Sequence, residues 1–328
     1  MDTNRRHPVY DCIVPVSGGK DSHYQVIKIL ELGYNPLCVY ARTDDISLIG
    51  RQNIDNIANL GVDLIEVNPN KELRRRISKY ALETVGDISW CEHVLIFTVP
   101  FNIACQYGIP IIIYGENPQN EYGAGPKGTE TVLELGYEWL QEFGGLNGLR
   151  VDDIQHAGIG SSKQLYQYRM PDGYHLDITE PKAYFLGQFF PWDGQENFKV
   201  AFDHGMQVFP GGIEGTGGCI YENLDNHQTG IHDYFKYIKF GFGRATDIMS
   251  SYLRRGIITR NCAKSTILEF DGQSYSRYLG KGLGAILDEI DMTRKEFRVC
   301  VDKFTNTELF ELTADYPKPK FLQDLMDA

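Results

Sequence analysis

A doubly wound α/β fold, with a parallel sheet and helices on both faces, is what this sequence predicts for its first part. Three observations carry that prediction. Short apolar runs alternate with helix-period stretches from Cys12 to Tyr114. Helices repeatedly stop at glycine, as at Gly33 and Gly61. The first apolar run leads into a glycine turn that opens a helix, Ser17-Gly18-Gly19-Lys20-Asp21-Ser22. From about Gly125 the alternation stops, and a mostly irregular and helical C-terminal region is expected. The predicted division is therefore 1–124 and 125–328.

The elements follow in order. Cys12-Ile13-Val14-Pro15-Val16 reads as the first strand, and His23 to Leu32 as a helix with Val26, Ile29 and Leu30 on one face. Pro36 to Tyr40 reads as a buried strand that ends in Ala41-Arg42-Thr43-Asp44-Asp45. Ile49 to Leu60 is amphipathic, and Val62 to Val67 is a third strand closed by Asn68-Pro69-Asn70. A basic helix runs from Lys71 to about Val85, then an apolar one from Glu92 to Tyr107 in which Pro100 predicts a kink. Ile109 to Tyr114 is the fourth strand, closed by Gly115-Glu116-Asn117. Pro15 and Pro110 each remove a ladder donor and belong near strand ends. Open sheets of this kind bind ligands at the carboxyl ends of their strands. Those ends carry Ser17–Ser22, Ala41–Asp45, Asn68–Asn70 and Gly115–Gly123. Further on, His232 to about Met249 reads as helical with a break at Gly241-Phe242-Gly243, and the remainder as short helices.

The bulk numbers narrow the class. A chain of 328 residues, 42% hydrophobic and 23% charged, predicts one large or two medium globular domains. A net charge of −12 argues against a broad nucleic-acid footprint, which needs a basic face. The seven cysteines are scattered and form no C-x-x-C pair, so neither a disulfide framework nor a zinc ribbon is expected. The opening ten residues are polar and predict no signal peptide. No apolar run is long enough to span a bilayer. A reducing cytoplasm is the expected location.

The glycine turn has a chemistry of its own. A helix N-terminus presents unpaired N–H groups and the positive end of its dipole, which suits phosphate. Gly18 and Gly19 let backbone approach an anion, Lys20 adds a point charge, and Ser17 and Ser22 add hydroxyl donors. The spacing is not that of the Walker loop. It resembles the S-G-G-x-D-S signature of the PP-loop ATP pyrophosphatases, which cleave ATP between its α- and β-phosphates. The resemblance implies an adenine-nucleotide α-hydrolase-like fold. The bland alternative is an ordinary βα turn with a capping Asp or Ser.

Three further segments narrow the resemblance. Tyr114-Gly115-Glu116-Asn117-Pro118-Gln119-Asn120-Glu121-Tyr122-Gly123 is similar to the G-E-N…E-Y-G segment of the N-acetyl sugar amidotransferases. Gly187-Gln188-Phe189-Phe190-Pro191-Trp192-Asp193 resembles their L-G-x-Y-x-P-W-D segment. His232-Asp233-Tyr234-Phe235-Lys236-Tyr237-Ile238-Lys239-Phe240-Gly241-Phe242-Gly243-Arg244-Ala245-Thr246-Asp247 resembles their H-D-Y-x-K-x-x-K-F-G-[FY]-G-R-A-T-D segment, the longest and most specific of the three. That family converts an acetamido group of a surface-polysaccharide or flagellin sugar, such as a lipopolysaccharide O-antigen or pseudaminic-type sugar, into an acetamidino group. It uses ATP, Mg²⁺ and ammonia from a separate glutaminase subunit. The resemblance therefore implies a glutaminase partner and a nucleotide-sugar or glycan substrate. Many members carry a cysteine-rich segment ahead of the loop, whereas only Cys12 precedes Ser17 here. Either that segment is absent or this start is internal to the longer family pattern, and a structural zinc at that place stays an open expectation.

The chemistry assigns candidate residues. An amide oxygen is a poor leaving group, and transfer of AMP to it makes a good one that ammonia can displace. Most of the work is positioning and charge neutralisation. Ser17, Gly18, Gly19, Lys20 and Ser22 are candidates for the pyrophosphate, with Lys20 offsetting its charge. Asp21 either caps the helix or holds Mg²⁺. Asp44 or Asp45 lies where adenosine is expected, or caps the following helix. Gly115 opens the loop in which Glu116 binds Mg²⁺, orients ammonia or simply turns the chain. Asn117 and Glu121 on that loop are candidates for the acceptor. His232, Lys236 and Lys239 fall four and three apart on one helix face. With Asp233 and Arg244 they suit a sugar diphosphate, or form a solvated basic face. Trp192 either stacks on a sugar or fills a core.

Other signals read blandly. Cys91-Glu92-His93 has no second metal-ligand pair and reads as core or loop, and Gly280-Lys281-Gly282-Leu283-Gly284 as a turn. The run Arg74-Arg75-Arg76 reads as a solvated helix face. Two rival functions remain. A PP-loop tRNA thiolase would need a catalytic cysteine pair and a basic surface. A nucleotide-binding regulatory subunit would hold ATP without turnover and lack acidic metal ligands.

Overall fold

The computed structural model describes residues 7–115, 146–171, 179–273 and 275–321. The chain divides into two compact units, Met1–Ile77 with Trp90–Gln207 and Ser78–Ser89 with Val208–Ala328.

The first unit is built on one all-parallel sheet of five strands: β1 (Cys12–Pro15), β2 (Pro36–Ala41), β3 (Asp63–Val67), β4 (Ile111–Tyr114) and β5 (Lys182–Phe185). Their spatial order is β3-β2-β1-β4-β5. Four helices connect the first four strands: α1 (Lys20–Glu31), α2 (Leu48–Asn59), and then α3 (Lys71–Val85) and α4 (Trp90–Tyr107), both between β3 and β4. Strand residues alternate faces. Cys12, Val14, Cys38, Tyr40, Ile111 and Ile113 form one core with Val26 and Ile29 of α1 and Ile54 and Ile57 of α2. Ile13, Leu37, Val39 and Ile112, at the intervening positions, are buried too. They lie on the opposite face, where α4 packs on β1 and β2. This is the doubly wound arrangement that the sequence predicts.

The order has a consequence for function. The chain winds outward through β1, β2 and β3, then returns to the other side of β1 for β4 and β5. The crevice between the ends of β1 and β4 is therefore the topological switch point, where sheets of this class take their ligands. Gln25 of α1 bridges that gap, its Nε2 donating to Ile113 O at 2.5 Å.

The prolines sit as expected. Pro15 ends β1, and Pro110 immediately precedes β4. Pro100 lies inside α4, which continues through it. A proline there leaves the carbonyl four residues earlier without its helical donor. That carbonyl is Ile96 O, and the Tyr114 hydroxyl donates to it at 3.2 Å.

Two expectations change. The first helix begins at Lys20 rather than His23, with Gly19 as its N-cap. The strand–helix alternation also does not stop at Gly125, because β5 extends the sheet in parallel with β4. β5 is four residues long, begins with a lysine and follows Pro181, so its sequence carries little strand signal. Among the described residues, two α-helices of this unit follow β4, α5 (Val151–His156) and α6 (Gly194–Asp203), and α6 packs along α1.

The second unit is mainly helical: α7 (Thr229–Phe240), α8 (Arg244–Arg254), α9 (Arg260–Phe270), α10 (Leu283–Asp288) and α11 (Arg294–Phe304). Its core centres on α7, where Phe235 meets the rings of Phe297 and Phe304 at 5.9 and 6.1 Å. The predicted break in the 232–249 stretch is real. Gly241 closes α7 in the left-handed region (φ 84°), and α8 begins just beyond it. The Gly280 region is the turn of a hairpin between β6 (Arg277–Tyr278) and β7 (Lys281–Gly282). A second hairpin pairs β8 (Phe310–Glu311) with β9 (Lys318–Pro319). Among the described residues, no helix is long and apolar enough to cross a membrane.

Candidate functional site

The segment Ser17–Ser22 lies at the carboxyl end of β1, at the switch point, and turns directly into α1. Ser22 Oγ accepts from the Ser17 amide at 2.9 Å and lies 3.2 Å from Ser17 Oγ, which closes the loop on itself. Gly19 caps α1 without a side-chain cap, so no side chain of the capping residue covers the helix start. Among the described residues, a Cβ built on Gly19 would have Ser17 Oγ at 3.7 Å as its only neighbour within 4 Å. That open face, the helix start and Lys20 make a cradle suited to an anion.

Gly18 is required for a different reason. Its φ is +89°, and a Cβ there would lie 3.2 Å from Gly50 O and 3.3 Å from Asn53 Cβ on α2. Gly18→Ala is expected to cost about 1–3 kcal/mol through left-handed strain, plus the displacement of the loop from α2. Thermal denaturation measures the loss, and an unchanged Tm would contradict it.

His23, which the sequence reading passed over, anchors the same loop. Its ring is fully buried. Nδ1 lies 3.0 Å from Gly19 O and Nε2 lies 3.1 Å from Asn56 Nδ2. Burial pushes the imidazole below its ordinary pKa, outweighing the Gly19 carbonyl, which favours the charged form. A neutral ring donating from Nδ1 to Gly19 and accepting at Nε2 from Asn56 satisfies both contacts.

Lys20 and Asp21 are adjacent and paired, Nζ to Oδ2 at 2.6 Å. Asp21 Oδ1 accepts from Asn197 Nδ2 of α6 at 2.8 Å. Asp21 is thus held by two side chains, Lys20 and Asn197. Mg²⁺ is bound through one or two carboxylates together with substrate phosphates, and this carboxylate at the mouth of the loop fits that need. Gly115, at the end of β4, lies against Gln25 and Trp192, with a built Cβ at 3.0 Å from Gln25 Oε1 and 3.1 Å from the indole. Trp192 also meets Tyr24 of α1 edge-on at 5.4 Å. It is partly buried at the rim of the β4–β5 end. Glu116, Asn117 and Glu121 lie outside the described residues.

Asp44 is not an open carboxylate. It pairs with Arg74 Nε at 2.7 Å, and its amide donates to Glu92 Oε1 at 3.0 Å. Thr43 Oγ1 donates to the same Glu92 oxygen at 2.5 Å. Arg74, only 3% exposed, also reaches Glu92 at 3.6 Å and donates to the Arg42 carbonyl. Burial works against the guanidinium charge, but Asp44 and Glu92 outweigh it and hold its pKa above the ordinary range. The solvated-face reading of Arg74 is therefore corrected. Arg74 lies on the buried side of α3 beside Leu73, Ile77 and Ser78. That helical spacing was the signal available in the sequence. Glu92, read as core or loop, is the second carboxylate of this cluster.

The H-D-Y segment lies in the second unit, on α7 and the start of α8. His232 Nδ1 is 2.9 Å from Asp87 Oδ1. Lys239 donates to Val85 O and Gly86 O at 2.8 and 2.9 Å, satisfying carbonyls at the end of α3. Burial lowers the Lys239 pKa, with Asp87 opposing the shift. Lys236 pairs with Asp247 and lies over the Phe242 ring. Arg244 grips Asp233 with two donors at 2.8 and 3.2 Å. Burial alone would raise the Asp233 pKa, but Arg244 brings it below the ordinary carboxylate value. His232, Lys236 and Lys239 lie on α7 at spacings of four and three, as expected, but their partners differ. His232 and Lys239 meet the 85–87 turn, while Lys236 turns to α8.

Residues 206–323 match the family model of the LPS biosynthesis protein WbpG-like C-terminal domain. The matched span nearly coincides with the C-terminal portion of the second unit and includes His232 through Asp247. It supports a place in lipopolysaccharide or sugar biosynthesis. No curated protein matches the chain.

Proposed function

We propose that this chain is an ATP-dependent amidotransferase that converts the N-acetyl group of a sugar, in the first instance a nucleotide-linked one, into an acetamidino group. The observation that carries the reading is the Ser17–Ser22 loop at the switch point, with its open glycine, its helix start and Lys20. The match to a lipopolysaccharide-biosynthesis domain supports a sugar acceptor.

In this reading the acetamido oxygen attacks the α-phosphorus of ATP, forming an O-adenylyl imidate and releasing pyrophosphate. Ammonia then adds to the imidate carbon, AMP leaves with the former amide oxygen, and a proton is lost to give the amidine. Ser17, Ser22, the amides around Gly19 and Lys20 bind the departing pyrophosphate. Asp21 would hold Mg²⁺, which neutralises phosphate charge when bound. Glu116 is assigned to the same metal or to ammonia. His232 and Lys236, both partly exposed, are assigned to the acceptor. The ammonia is supplied by a separate glutaminase.

An ammonium-supplied assay tests this. ATP, Mg²⁺ and a panel of nucleotide-linked N-acetyl sugars are combined, and products are weighed by mass spectrometry. Replacing C=O by C=NH lowers the sugar mass by about one dalton, the signature of the assigned reaction class. That shift with stoichiometric AMP is the expected result. AMP without the shift removes the acceptor assignment, and neither product removes the enzyme reading.

A further inference from the structure

Asp21 stands between two donors of different character. Lys20 is a cation beside the cradle, and a polyphosphate carries more charge than one carboxylate, so nucleotide binding draws Lys20 away from Asp21. Asn197 is neutral, 1% exposed, and belongs to an element that is fastened at both ends. At the start of α6, Asp193 Oδ1 accepts from the Gln195 and Glu196 amides at 2.9 and 3.2 Å, and Trp192 is seated against Gly115, Gly187 and Tyr24. Beyond its end, Asn53 of α2 exchanges two hydrogen bonds with the Gln207 backbone, at 2.7 and 3.1 Å. Asn56 Nδ2 donates to His204 O at 3.0 Å. Gly194 permits the close approach to the loop, since a Cβ there would lie 3.2 Å from Lys20 Cε.

From this geometry we infer that Asn197 is a positioning residue for metal-bound nucleotide. It ties one Asp21 oxygen to α6, so that the other stays directed at the loop once Lys20 has turned to phosphate. The inference rests on the reading of this loop as an ATP site. Mg²⁺ tolerates little departure from octahedral geometry, so a carboxylate free to rotate is a poorer ligand than one held by a neutral donor. Asn197 lies 176 residues from Asp21 in sequence, and only the packing of α6 on α1 brings them together.

The test is calorimetric titration of ATP into the full chain, with and without Mg²⁺, for the wild type, Asn197→Ala and Asn197→Leu. The leucine variant keeps most of the buried volume and removes the donor. Wild type binds more tightly with Mg²⁺. Either variant is expected to lose about tenfold of the Mg²⁺-dependent gain, the usual effect of removing a partner that orients a metal ligand. Its metal-free affinity stays unchanged. Asp21→Asn is expected to lose the same gain, and Asp21→Asn combined with Asn197→Leu no more than Asp21→Asn alone, because the two residues act through one carboxylate. A folded Asn197 variant with its Mg²⁺ gain intact overturns the inference and leaves the ATP reading standing. Losses that add in the double variant overturn it equally. Wild type that binds no ATP overturns the ATP reading, and the inference with it.

Discussion

Lys20→Ala is expected to lower AMP formation by at least about 10²-fold, the scale set by removal of one preorganised electrostatic donor. The side chain has the only full positive charge in the Ser17–Ser22 segment, and in the proposed reaction the charge it offsets develops as pyrophosphate leaves. Stability should change little by comparison. The lost pair is between neighbours in sequence, and Asp21 keeps its hydrogen bond from Asn197. Lys20→Arg retains charge but places a planar fork in a space closed off by Gly194, and should recover only part of the rate. Quantifying AMP and pyrophosphate by chromatography, alongside a thermal melt, reads both effects. A folded Lys20→Ala protein that turns over at the wild-type rate would remove the loop from the mechanism.

The second large effect concerns stability rather than rate. Arg74→Ala should destabilise the protein by about 3–5 kcal/mol, the cost of breaking a buried ion pair from one side. Asp44 and Glu92 would remain in the interior without the cation that balances them, and the Arg42 carbonyl would lose its donor. The cluster also holds the end of β2, through Thr43 and the Asp44 amide on Glu92. Glu92→Gln should cost less, since Asp44 still faces Arg74 and the amide oxygen of glutamine can still accept from Thr43. Urea denaturation of the two variants separates these outcomes. An Arg74→Ala loss below about 1 kcal/mol, within the range of exposed pairs, would show that the cluster is solvated in solution.

Particular elements show why some features were legible in the sequence. The strands β1 to β4 and their helices could be read because each carries its own period and its own stop. The loop at Ser17–Ser22 could be read because its chemistry is local: two glycines, a lysine and two hydroxyls within six residues. Gly241-Phe242-Gly243 announced its break for the same reason. β5 could not be read, since four residues are too few to show a period and their strand character comes from pairing with β4. His23 looked like an ordinary helical residue until α2 supplied Asn56 against it.

The sequence by itself determined that this chain has a doubly wound α/β part with a glycine turn after its first strand that opens a helix, because hydrophobic period and glycine placement act over a few residues. It also determined the position of the long H-D-Y segment and the break that follows it. Only the tertiary structure decided what the charged side chains do. It turned Arg74 inward onto Asp44 and Glu92, paired Arg244 with Asp233, and placed Lys239 on the carbonyls of Val85 and Gly86. It brought Asn197 to Asp21 across 176 residues of sequence. A charge placed on a helix can be satisfied by water or by a distant partner, and its own neighbours in sequence do not distinguish the two. Burial does, because a charge removed from water must find its partner wherever the packing of the chain supplies one.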